Sequence, residues 1–403
     1  MKRVVITGAG TLNPLGADVA ATFAAMREGR GAVGPLSCAD VDRLSVQIGA
    51  EIRGFDPEAH FPRTRLPLLD RFTQIALVAA RQAVAQSGLE LTEETALRAG
   101  VVMGTAGGGN TTVDDNYRTV YEQGKNRVHP FVVPRLMHNA AASHISMEFG
   151  LKGPAFTVAT ACASSNHAMG QALALLRSGM ADVMLSGGSE AMLSFGGIKA
   201  WEGLRVMARD TCRPFSADRT GMVQGEGGAV FVLETLEHAQ ARGAPILAEV
   251  AGFGMSADAG DIVMPDLDGP VRAMRAALAD AGVAPEEIGY VNAHGTGTAA
   301  NDRVESQALR VVMGAHLDHL PVSSTKSMHG HLIGGTSAVE LLACLMALQE
   351  GVIAPTINHQ AHDPDCVPDP VPNTARAAKV DIAMSNAFAF GGLNAVLVLR
   401  RAP

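Results

Sequence analysis

The sequence predicts an α/β protein in which parallel β-strands are covered by helices. Short apolar runs alternate with longer segments whose apolar residues recur every three or four positions, which is the order expected of βα units. The composition agrees, because 44 glycines and 47% hydrophobic residues with only 4% aromatic residues suit tightly packed layers. At 403 residues, the chain is long enough for two domains or for one large duplicated domain.

The predicted elements form two series that divide near residue 245. The order of elements is similar in the two series although their sequences are not visibly similar, which predicts an N-terminal half (1–245) and a C-terminal half (246–403). The predicted strands are 3–7, 99–103, 155–159, 181–186 and 229–233, and then 248–252, 288–292, 322–324, 380–384 and 395–399. The predicted helices are 70–87, 140–148 and 166–177, and then 271–281, 303–312 and 336–349.

Charge, cysteine usage and the chain start exclude several classes of protein. A net charge of -8 argues against general nucleic-acid binding. Five cysteines without paired spacing indicate reduced thiols in the cytoplasm, not a disulfide framework or a zinc site. No signal peptide is evident, and no apolar run reaches the roughly 20 residues that span a bilayer.

The glycine sequence 7–11 (TGAGT) lacks the full dinucleotide fingerprint and is expected to form a tight turn after the first strand.

Residues 160–165 (TACASS) place one cysteine between an apolar run and a helix-like run. Cys162 would lie at the N-terminus of the predicted helix 166–177, where the helix dipole favours the nucleophilic thiolate. A small buried thiol that packs like alanine is the alternative for an isolated cysteine. Three histidine- and glycine-rich segments further along the chain favour the nucleophile.

The first segment, residues 292–298 (NAHGTGT), follows a predicted strand. It places His294 on a loop at the strand end, followed by the hydroxyls of Thr296 and Thr298. Asp302 and Glu305 come at the start of the next helix and are expected to cap it. A single histidine in a glycine turn is usually structural, so this segment carries weight only together with the others.

The second segment, residues 323–331 (SSTKSMHGH), also follows a short strand. Lys326 precedes His331 by five residues in an otherwise apolar part of the chain, and a helix containing Glu340 follows. His329 is expected to be an exposed loop residue. In the third segment, residues 385–394 (SNAFAFGGLN), Phe390 precedes two glycines and can present a backbone N–H and an aromatic ring to one site, within a glycine-rich bulge between two strands.

These segments together resemble the β-ketoacyl-acyl carrier protein synthases of the condensing-enzyme family, specifically the type II elongating synthases. The resemblance extends over essentially the whole chain, and four ordered motifs at these spacings are highly specific. It is carried by residues 4–8 (VVITG), 69–72 (LDRF), 153–154 (GP), 160–162 (TAC), 187–190 (GGSE), 213–215 (RPF), 225–227 (GEG), 292–298, 325–331 and 385–392.

The resemblance implies a thiolase-like αβαβα layered fold of two duplicated halves that works as a dimer. It implies a 3-oxoacyl-[acyl-carrier-protein] synthase, an acyltransferase that condenses malonyl-carrier protein with an acyl chain in fatty acid or specialised polyene or polyketide biosynthesis. The implied partners are an acyl carrier protein and a second subunit, either a copy of this chain or a chain-length-factor-like subunit. Substrates would be carried on the phosphopantetheine of the carrier, with no metal and no further cofactor.

The resemblance also implies residue roles. Cys162 looks like the nucleophile that takes the acyl chain, and His294 and His331 look like the pair that decarboxylates malonyl-carrier protein. The remaining implied roles are Lys326 ordering the site, Glu340 supporting it from beneath, Thr296 and Thr298 contacting the phosphopantetheine arm, Phe390 as the gating aromatic, and Gly391 in the same substrate-binding turn.

Several positions depart from the housekeeping pattern of the family, namely Ala389, Leu393, Ser216 and Met222. The stretches 210–219 and 385–388 look more like a specialised branch that includes the rhizobial nodulation synthases and bacterial polyene synthases. These departures concern the pathway and leave the implied reaction unchanged.

Three related classes are alternatives. A thiolase would carry a second catalytic cysteine before the C-terminal double glycine, where this chain has Phe390. A plant-type polyketide synthase would use a Cys-His-Asn site, and the pairing of Lys326 with His331 argues against it. A non-catalytic chain-length factor typically lacks the nucleophile, whereas Cys162 is present.

Two further expectations concern substrates. Because carrier proteins of the family are acidic, a local basic patch is needed near the tunnel mouth. Gly107 lies where a branched aliphatic residue often lines the acyl pocket, so a glycine predicts an open far end, with a tight turn as the alternative explanation. The docking candidates, each of which could also be an ordinary surface arginine, are Arg63, Arg65, Arg127 and Arg205.

Overall fold

Ten strands form one continuous mixed β-sheet in the structure, a computed structural model that describes residues 2–402. All ten predicted strands are present in this sheet. The strands are β1 (Val4–Leu12), β2 (Gly34–Pro35), β3 (Ile48–Gly49), β4 (Ala99–Gly104), β5 (Ala155–Val158), β6 (Val183–Glu190), β7 (Gly227–Thr235), β8 (Ala248–Ala257), β9 (Tyr290–Asn292), β10 (Val322–Ser323), β11 (Val352–Ile353), β12 (Arg376–Ala377), β13 (Ile382–Ala389) and β14 (Leu393–Arg401).

Helices connect and cover these strands, and all six predicted helices are present. None of the helices within residues 2–402 is long and apolar enough to cross a membrane. The helices are α1 (Val19–Glu28), α2 (Pro57–His60), α3 (Arg71–Ser87), α4 (Glu93–Leu97), α5 (Asn110–Tyr117), α6 (Val132–Leu136), α7 (Ala140–Phe149), α8 (Ser164–Arg177), α9 (Phe195–Glu202), α10 (Leu236–Ala241), α11 (Asp268–Ala281), α12 (Ala299–Met313), α13 (Lys326–His329) and α14 (Thr336–Glu350).

The sheet topology contains the duplication that the element order predicts. The first half has the order β5-β4-β6-β7-β1 and the second half has the order β10-β9-β13-β14-β8. In both halves the two outer pairings are parallel and the two inner pairings are antiparallel. The halves join through β1 and β8, where Val5 lies opposite Glu249. The predicted boundary at 245 falls in the connection between α10 and β8.

Two buried helices lie between the halves of the sheet. In α14, every residue from 336 to 348 is buried, and the helix contacts β6 and β7 of the first half as well as β9 and β13 of the second. Helix α8 likewise contacts strands of both halves. A helix that is apolar all round has to be enclosed in this way. With α3 against β1 and α11 against β8 on the outside, the predicted αβαβα layering is confirmed.

Close packing of β1 against α3 explains the glycines of the TGAGT sequence. The predicted tight turn at residues 7–11 is wrong, because β1 continues through them to Leu12 and all nine of its residues are buried. A Cβ atom at Gly8 would overlap the carbonyl oxygen of Ala83, and one at Gly10 would overlap that of Ala79. These glycines therefore allow a helix to approach the strand closely.

We expect Gly8→Ala to lower the free energy of unfolding by about 2–3 kcal/mol, because the added methyl group is forced against the α3 backbone. Gly260→Ala is the matched control, since a Cβ atom there meets nothing within 4 Å, and it should change stability by less than about 0.5 kcal/mol. Urea unfolding followed by circular dichroism measures both values. Equal effects for the two variants would contradict this packing.

Candidate active site

Three side chains from distant parts of the chain meet at one buried point. Cys162 follows β5, His294 follows β9 and His331 follows α13. The cysteine sulfur and one ring nitrogen of each histidine lie within 4.8 Å of one another. The two imidazole rings stand 5.6 Å apart, nearly perpendicular, with an interplanar angle of 83°. The structure thus brings together the residues that the sequence singled out.

Cys162 lies on a sharp turn directly before α8. The preceding residue, Ala161, has a φ of +47°, a conformation that side-chain-bearing residues rarely adopt. Burial raises the pKa of the Cys162 thiol to about 12, although the charge of Lys326 and the backbone N–H groups of Cys162 and Phe390 act in the opposite direction. Desolvation thus opposes the thiolate that the helix N-terminus is expected to favour.

Both site histidines are neutral. Burial lowers the pKa of His294 well below its usual value, and the charge of Lys326 adds to the effect. Burial also lowers the pKa of His331, again with Lys326 as the second cause. An imidazole with a strongly depressed pKa carries one N–H donor and one acceptor nitrogen at neutral pH.

Hydrogen bonds fix which nitrogen carries the proton. Nδ1 of His331 accepts the backbone N–H of Ile333 at 3.2 Å and lies 2.8 Å from the hydroxyl of Thr336. Nδ1 of His294 lies 3.4 Å from Nζ of Lys326, and an ammonium group can only donate. In both rings Nδ1 is therefore the acceptor, which leaves the proton on Nε2. Both histidines then have an Nε2–H donor.

Lys326 and Glu340 form a fully buried ion pair beneath the histidines. Nζ of Lys326 lies 2.5 Å from Oε1 of Glu340, and both side chains have 0% exposure. The ammonium also donates to the carbonyl oxygen of His294 at 2.5 Å. Burial raises the pKa of Glu340, and Lys326 opposes that shift. The lysine is thus placed to order His294 by its backbone and its ring at once.

Two buried carboxylates hold the His294 loop, and the sequence analysis missed this role. Glu305 accepts the backbone N–H groups of His294 at 2.9 Å and Gly295 at 2.7 Å. Asp302 accepts the backbone N–H of Gly297 at 3.2 Å. The expectation that both residues cap α12 is wrong, because their side chains reach back to the preceding loop. In the sequence, the one indication of this role is that the two carboxylates lie one helical turn apart, shortly after a histidine in a loop.

His329 is buried, so its predicted exposure on a loop is wrong. Its Nε2 lies 2.9 Å from the hydroxyl of Thr325, and its Nδ1 lies 2.7 Å from the carbonyl oxygen of Gly330. Burial lowers its pKa to about 3. This histidine therefore packs within α13 as a neutral, hydrogen-bonded side chain.

Phe390 lies in the turn between β13 and β14, beside the cysteine. Its backbone N–H and that of Cys162 both face the cysteine sulfur. Its ring stacks on Trp201, with centroids 5.8 Å apart and an angle of 24°. Gly391 follows with a φ of +81°, and its N–H donates to the carbonyl oxygen of Ile262 at 2.8 Å. Gly391 therefore shapes the turn, whereas Phe390 supplies the N–H that faces the sulfur.

The pocket above these groups contains the two predicted hydroxyls. Thr296 and Thr298 line the same pocket as Cys162, both site histidines and Phe390. Their hydroxyl oxygens lie 2.9 Å apart. A pair of hydroxyls on one wall of a mostly apolar pocket can hydrogen-bond an amide-bearing ligand arm.

Gly107 does not leave open space. A Cβ atom at Gly107 would lie 2.7 Å from Sδ of Met192, so this methionine fills the room that the sequence predicts to be empty. The expectation of a gap at residue 107 is therefore wrong. The sequence does not reveal this contact, because Gly107 follows β4 whereas Met192 follows β6, far along the chain.

Glu190 ties the loop of Gly107 to the segment before α14. Its carboxylate accepts the backbone N–H groups of Ala106 at 2.7 Å and Gly334 at 3.1 Å, and the hydroxyl of Thr105 at 2.9 Å. Burial raises its pKa to about 7 despite these donors. The GGSE motif at residues 187–190 carries the family resemblance, but the sequence alone indicates no role for this carboxylate.

The four candidate docking arginines lie in different surroundings. Arg63 pairs with Glu58 at 2.9 Å, and Arg65 pairs with Glu148. Arg127 is exposed. Arg205 is also exposed and is the sequence neighbour of Val206, which lines the site pocket. Of the four, Arg205 is the one that the structure places beside the pocket.

The layered fold therefore encloses a site made of one cysteine and two histidines. The sequence matches the Beta-ketoacyl synthase N-terminal domain over residues 1–239 and the corresponding C-terminal domain over residues 247–360. The chain therefore belongs to the beta-ketoacyl synthase family. The predicted fold, the 3-oxoacyl-[acyl-carrier-protein] synthase condensation and the acyltransferase class are confirmed.

Relatives and solved structures agree over the full length. The chain is 50% identical over 400 residues to Nodulation protein E of Rhizobium sp. (strain N33), covering 99% of each chain. It is 40% identical over 407 residues to 3-oxoacyl-[acyl-carrier-protein] synthase 2 of Staphylococcus aureus (strain COL), covering 99% of this chain and 98% of the relative. The ishigamide ketosynthase/chain length factor superposes with a TM-score of 0.95 at 38% identity over 100% of both chains.

We expect Lys326→Met to lower the free energy of unfolding by about 3–5 kcal/mol, because it leaves the Glu340 carboxylate buried without its partner. The double variant Lys326→Met with Glu340→Leu removes both charges and should recover most of that loss. Guanidinium unfolding measures the two values. A double variant no more stable than the single one would contradict the ion pair as the source of the loss.

Proposed function

We propose that Cys162 carries the growing acyl chain as a thioester, while His294 and His331 decarboxylate the malonyl thioester of an acyl carrier protein. One observation carries this proposal: a cysteine sulfur and two imidazole nitrogens lie within 4.8 Å of one another in a buried site. The thiol is a nucleophile, and the two neutral rings offer N–H donors to a developing negative charge.

Acyl transfer begins at Sγ of Cys162. The sulfur attacks the thioester carbonyl of the incoming acyl group, the new C–S bond forms, and the bond to the phosphopantetheine sulfur breaks. The proton of the Cys162 thiol leaves with the departing thiol, so no net charge stays in the buried site. This transfer of the proton to the leaving thiol suits a cysteine whose pKa is raised by burial, because the free enzyme then needs no thiolate.

Decarboxylation then uses the two histidines. The bond between the malonyl carboxylate and the α-carbon breaks, CO2 leaves, and the electron pair forms an enolate on the remaining thioester. The Nε2–H groups of His294 and His331 donate to the enolate oxygen as its charge develops. A donor of this kind is worth about 3 kcal/mol by analogy with oxyanion holes.

Condensation completes the cycle. The enolate carbon attacks the acyl carbonyl on Cys162, and the backbone N–H groups of Cys162 and Phe390 hold the resulting oxyanion. The carbon–sulfur bond then breaks, and the cysteine takes one proton from solvent. The sum consumes an acyl thioester, a malonyl thioester and a proton, and it releases CO2, a carrier thiol and the 3-oxoacyl thioester.

The carrier arm would reach this site along the pocket wall that contains Thr296 and Thr298. Their hydroxyls are placed to hydrogen-bond the amides of phosphopantetheine. We assign Arg205 to carrier docking because it is exposed next to the pocket, and acidic carriers are attracted to a basic rim.

A second subunit would pair along β5. This strand is the edge of the sheet, and an edge strand offers unpaired backbone groups. Its Phe156 is 38% exposed, and large apolar side chains are also exposed in the segment from Tyr117 to Met137, including Tyr121 at 80%. This surface suits either a second copy of the chain or a chain-length-factor-like subunit.

The proposed pathway is a specialised one. The proposed location of the enzyme is the cytoplasm. Higher identity to a nodulation protein than to a 3-oxoacyl-[acyl-carrier-protein] synthase supports the specialised branch. All five cysteines are free thiols, which suits a reducing compartment. A chain-length-factor role is disfavoured, because the nucleophile and both histidines are present in one site.

We expect Cys162→Ala and His331→Ala to lose different half-reactions, namely acyl transfer to the cysteine and decarboxylation, respectively. Cys162→Ala should abolish elongation of an acyl-carrier protein but still release CO2 from malonyl-carrier protein, because the histidine donors remain. His331→Ala should still accept an acyl group on Cys162 but release CO2 at least about 100-fold more slowly. Mass spectrometry of the acyl-enzyme and labelled CO2 release measure the two halves.

Cys38→Ala is the control for cysteine replacement, since this half-buried thiol lies outside the pocket described above. It should retain both half-reactions. A Cys162→Ala variant that still elongates a primed carrier would refute the nucleophile. A His331→Ala variant that cannot be acylated yet decarboxylates normally would reverse the assigned roles.

A further inference from the structure

We propose that Trp201 is a positioning residue for the condensation step, which holds the Phe390 turn in place and releases it when Cys162 is acylated. The inference rests on the proposed role of Cys162 as acyl acceptor. Trp201 is the single tryptophan of the chain, and it lines the same pocket as Cys162 and Phe390. No part of the reaction described above requires its indole ring as a reacting group.

The stacked pair controls a backbone donor. The rings of Trp201 and Phe390 lie 5.8 Å apart at an angle of 24°. Phe390 and Cys162 line the same pocket, and the backbone N–H of Phe390 lowers the pKa of the Cys162 thiol, which places that N–H near the sulfur. An aromatic pair of this kind shifts an equilibrium by roughly 2- to 12-fold beyond simple burial. The position of the ring on Trp201 therefore biases the position of the N–H that faces the nucleophile.

Helix α9, which carries Trp201, is firmly attached to the body of the protein. Ser194 caps the helix by accepting the N–H of Gly197 at 3.2 Å. At its first residue, the guanidinium group of Arg43 lies 4.6 Å from the ring centre of Phe195. A Cβ atom at Gly197 would overlap the preceding loop, so the helix is packed closely against it. Trp201 is thus the fixed member of the pair.

Phe390, in contrast, lies on a turn with few constraints. The two following residues are glycines with φ values of +81° and +68°. The N–H of Gly392 closes the turn on the carbonyl oxygen of Ala389 at 3.0 Å, and two backbone hydrogen bonds join the turn to a second segment, from Gly391 to Ile262 at 2.8 Å and from Asp258 to Gly392 at 2.9 Å. Ile262 is itself 73% exposed. The turn can therefore shift as a unit with a small part of the surface, while α9 stays in place.

Acylation requires such a shift. Cys162 is only 5% exposed, so a thioester on its sulfur adds atoms to a nearly closed space. The Phe390 turn lines the pocket beside the sulfur, so added atoms there press on a turn that can shift together with the exposed segment of Ile262. When the turn moves, the ring of Phe390 separates from Trp201. When the ring returns to Trp201, the backbone N–H of Phe390 returns to its place beside the sulfur. The tryptophan thereby sets the equilibrium between the two positions of the Phe390 turn, with its ring stacked on Trp201 or separated from it.

The single tryptophan makes this separation measurable. The purified enzyme is acylated with octanoyl-carrier protein, the acyl-enzyme is quantified by mass spectrometry, and tryptophan emission is recorded before and after. We expect emission to change in proportion to acylation of Cys162. Phe390→Leu removes the stacking partner, so its emission should not respond even where mass spectrometry finds the acyl-enzyme. Cys162→Ala should show no change with the same carrier.

Kinetics supply the second readout. Trp201→Leu should lower kcat for condensation by roughly 2- to 12-fold, the range of the lost ring–ring preference, while KM for malonyl-carrier protein changes less than twofold. Trp201→Phe retains an aromatic face and should recover most of kcat. This split distinguishes positioning from a general loss of fold, which would lower activity without rescue by phenylalanine.

The outcomes separate the two proposals. If the wild-type enzyme forms no acyl-enzyme, the proposed function fails and the inference fails with it. If the acyl-enzyme forms while the wild-type emission stays constant, the role of Trp201 is refuted and the proposed function stands. Equal kcat values for the wild type and Trp201→Leu, or for Trp201→Phe and Trp201→Leu, would also overturn it.

Discussion

The buried ion pair between Lys326 and Glu340 is the interaction on which the rest of the site depends. Its two members have no exposed side-chain surface, and they lie on α13 and α14 at the centre of the layered fold. The ammonium also contacts the carbonyl oxygen and the ring of His294. A positive charge in this position disfavours a second one nearby, so it adds to the effect of burial, which is the larger cause of the depressed pKa values of His294 and His331. The compensating carboxylate makes that charge tolerable in the interior.

The consequence is a site that is uncharged at its reacting atoms until the reaction begins. Burial keeps Cys162 protonated and both histidines neutral. Negative charge then appears on the enolate oxygen and on the tetrahedral oxyanion, where N–H donors are already in place. Donors fixed before the charge develops act more strongly in a dry site than in water. The same burial that raises the pKa of the cysteine therefore strengthens the stabilisation of both oxyanions.

Much of this site could be predicted from the sequence, because the resemblance to the condensing enzymes implies its residues. Their positions after strands or at the starts of helices agree, since such ends converge at one edge of a layered sheet. What remained hidden depends on packing between segments that are distant in sequence. Glu305 reaches back to the His294 loop, Met192 fills the space beside Gly107, and His329 is enclosed within its short helix. Periodicity gives the face of an element but not its neighbour, so the element order predicts two similar halves, whereas the order in which their strands pair is visible only in the structure.

The central claim is that burial, with the charge of Lys326 adding to it, makes His294 and His331 neutral Nε2–H donors. Nitrogen-15 NMR of the enzyme with labelled histidine measures this state directly, and His294→Gln and His331→Gln variants assign the two signals among the 13 histidines. The account predicts that both rings are neutral with the proton on Nε2 at pH 7, and that they stay so as the pH falls through the usual histidine pKa of about 6.5. An imidazolium signal from either ring at pH 7, or a proton on Nδ1, would contradict it.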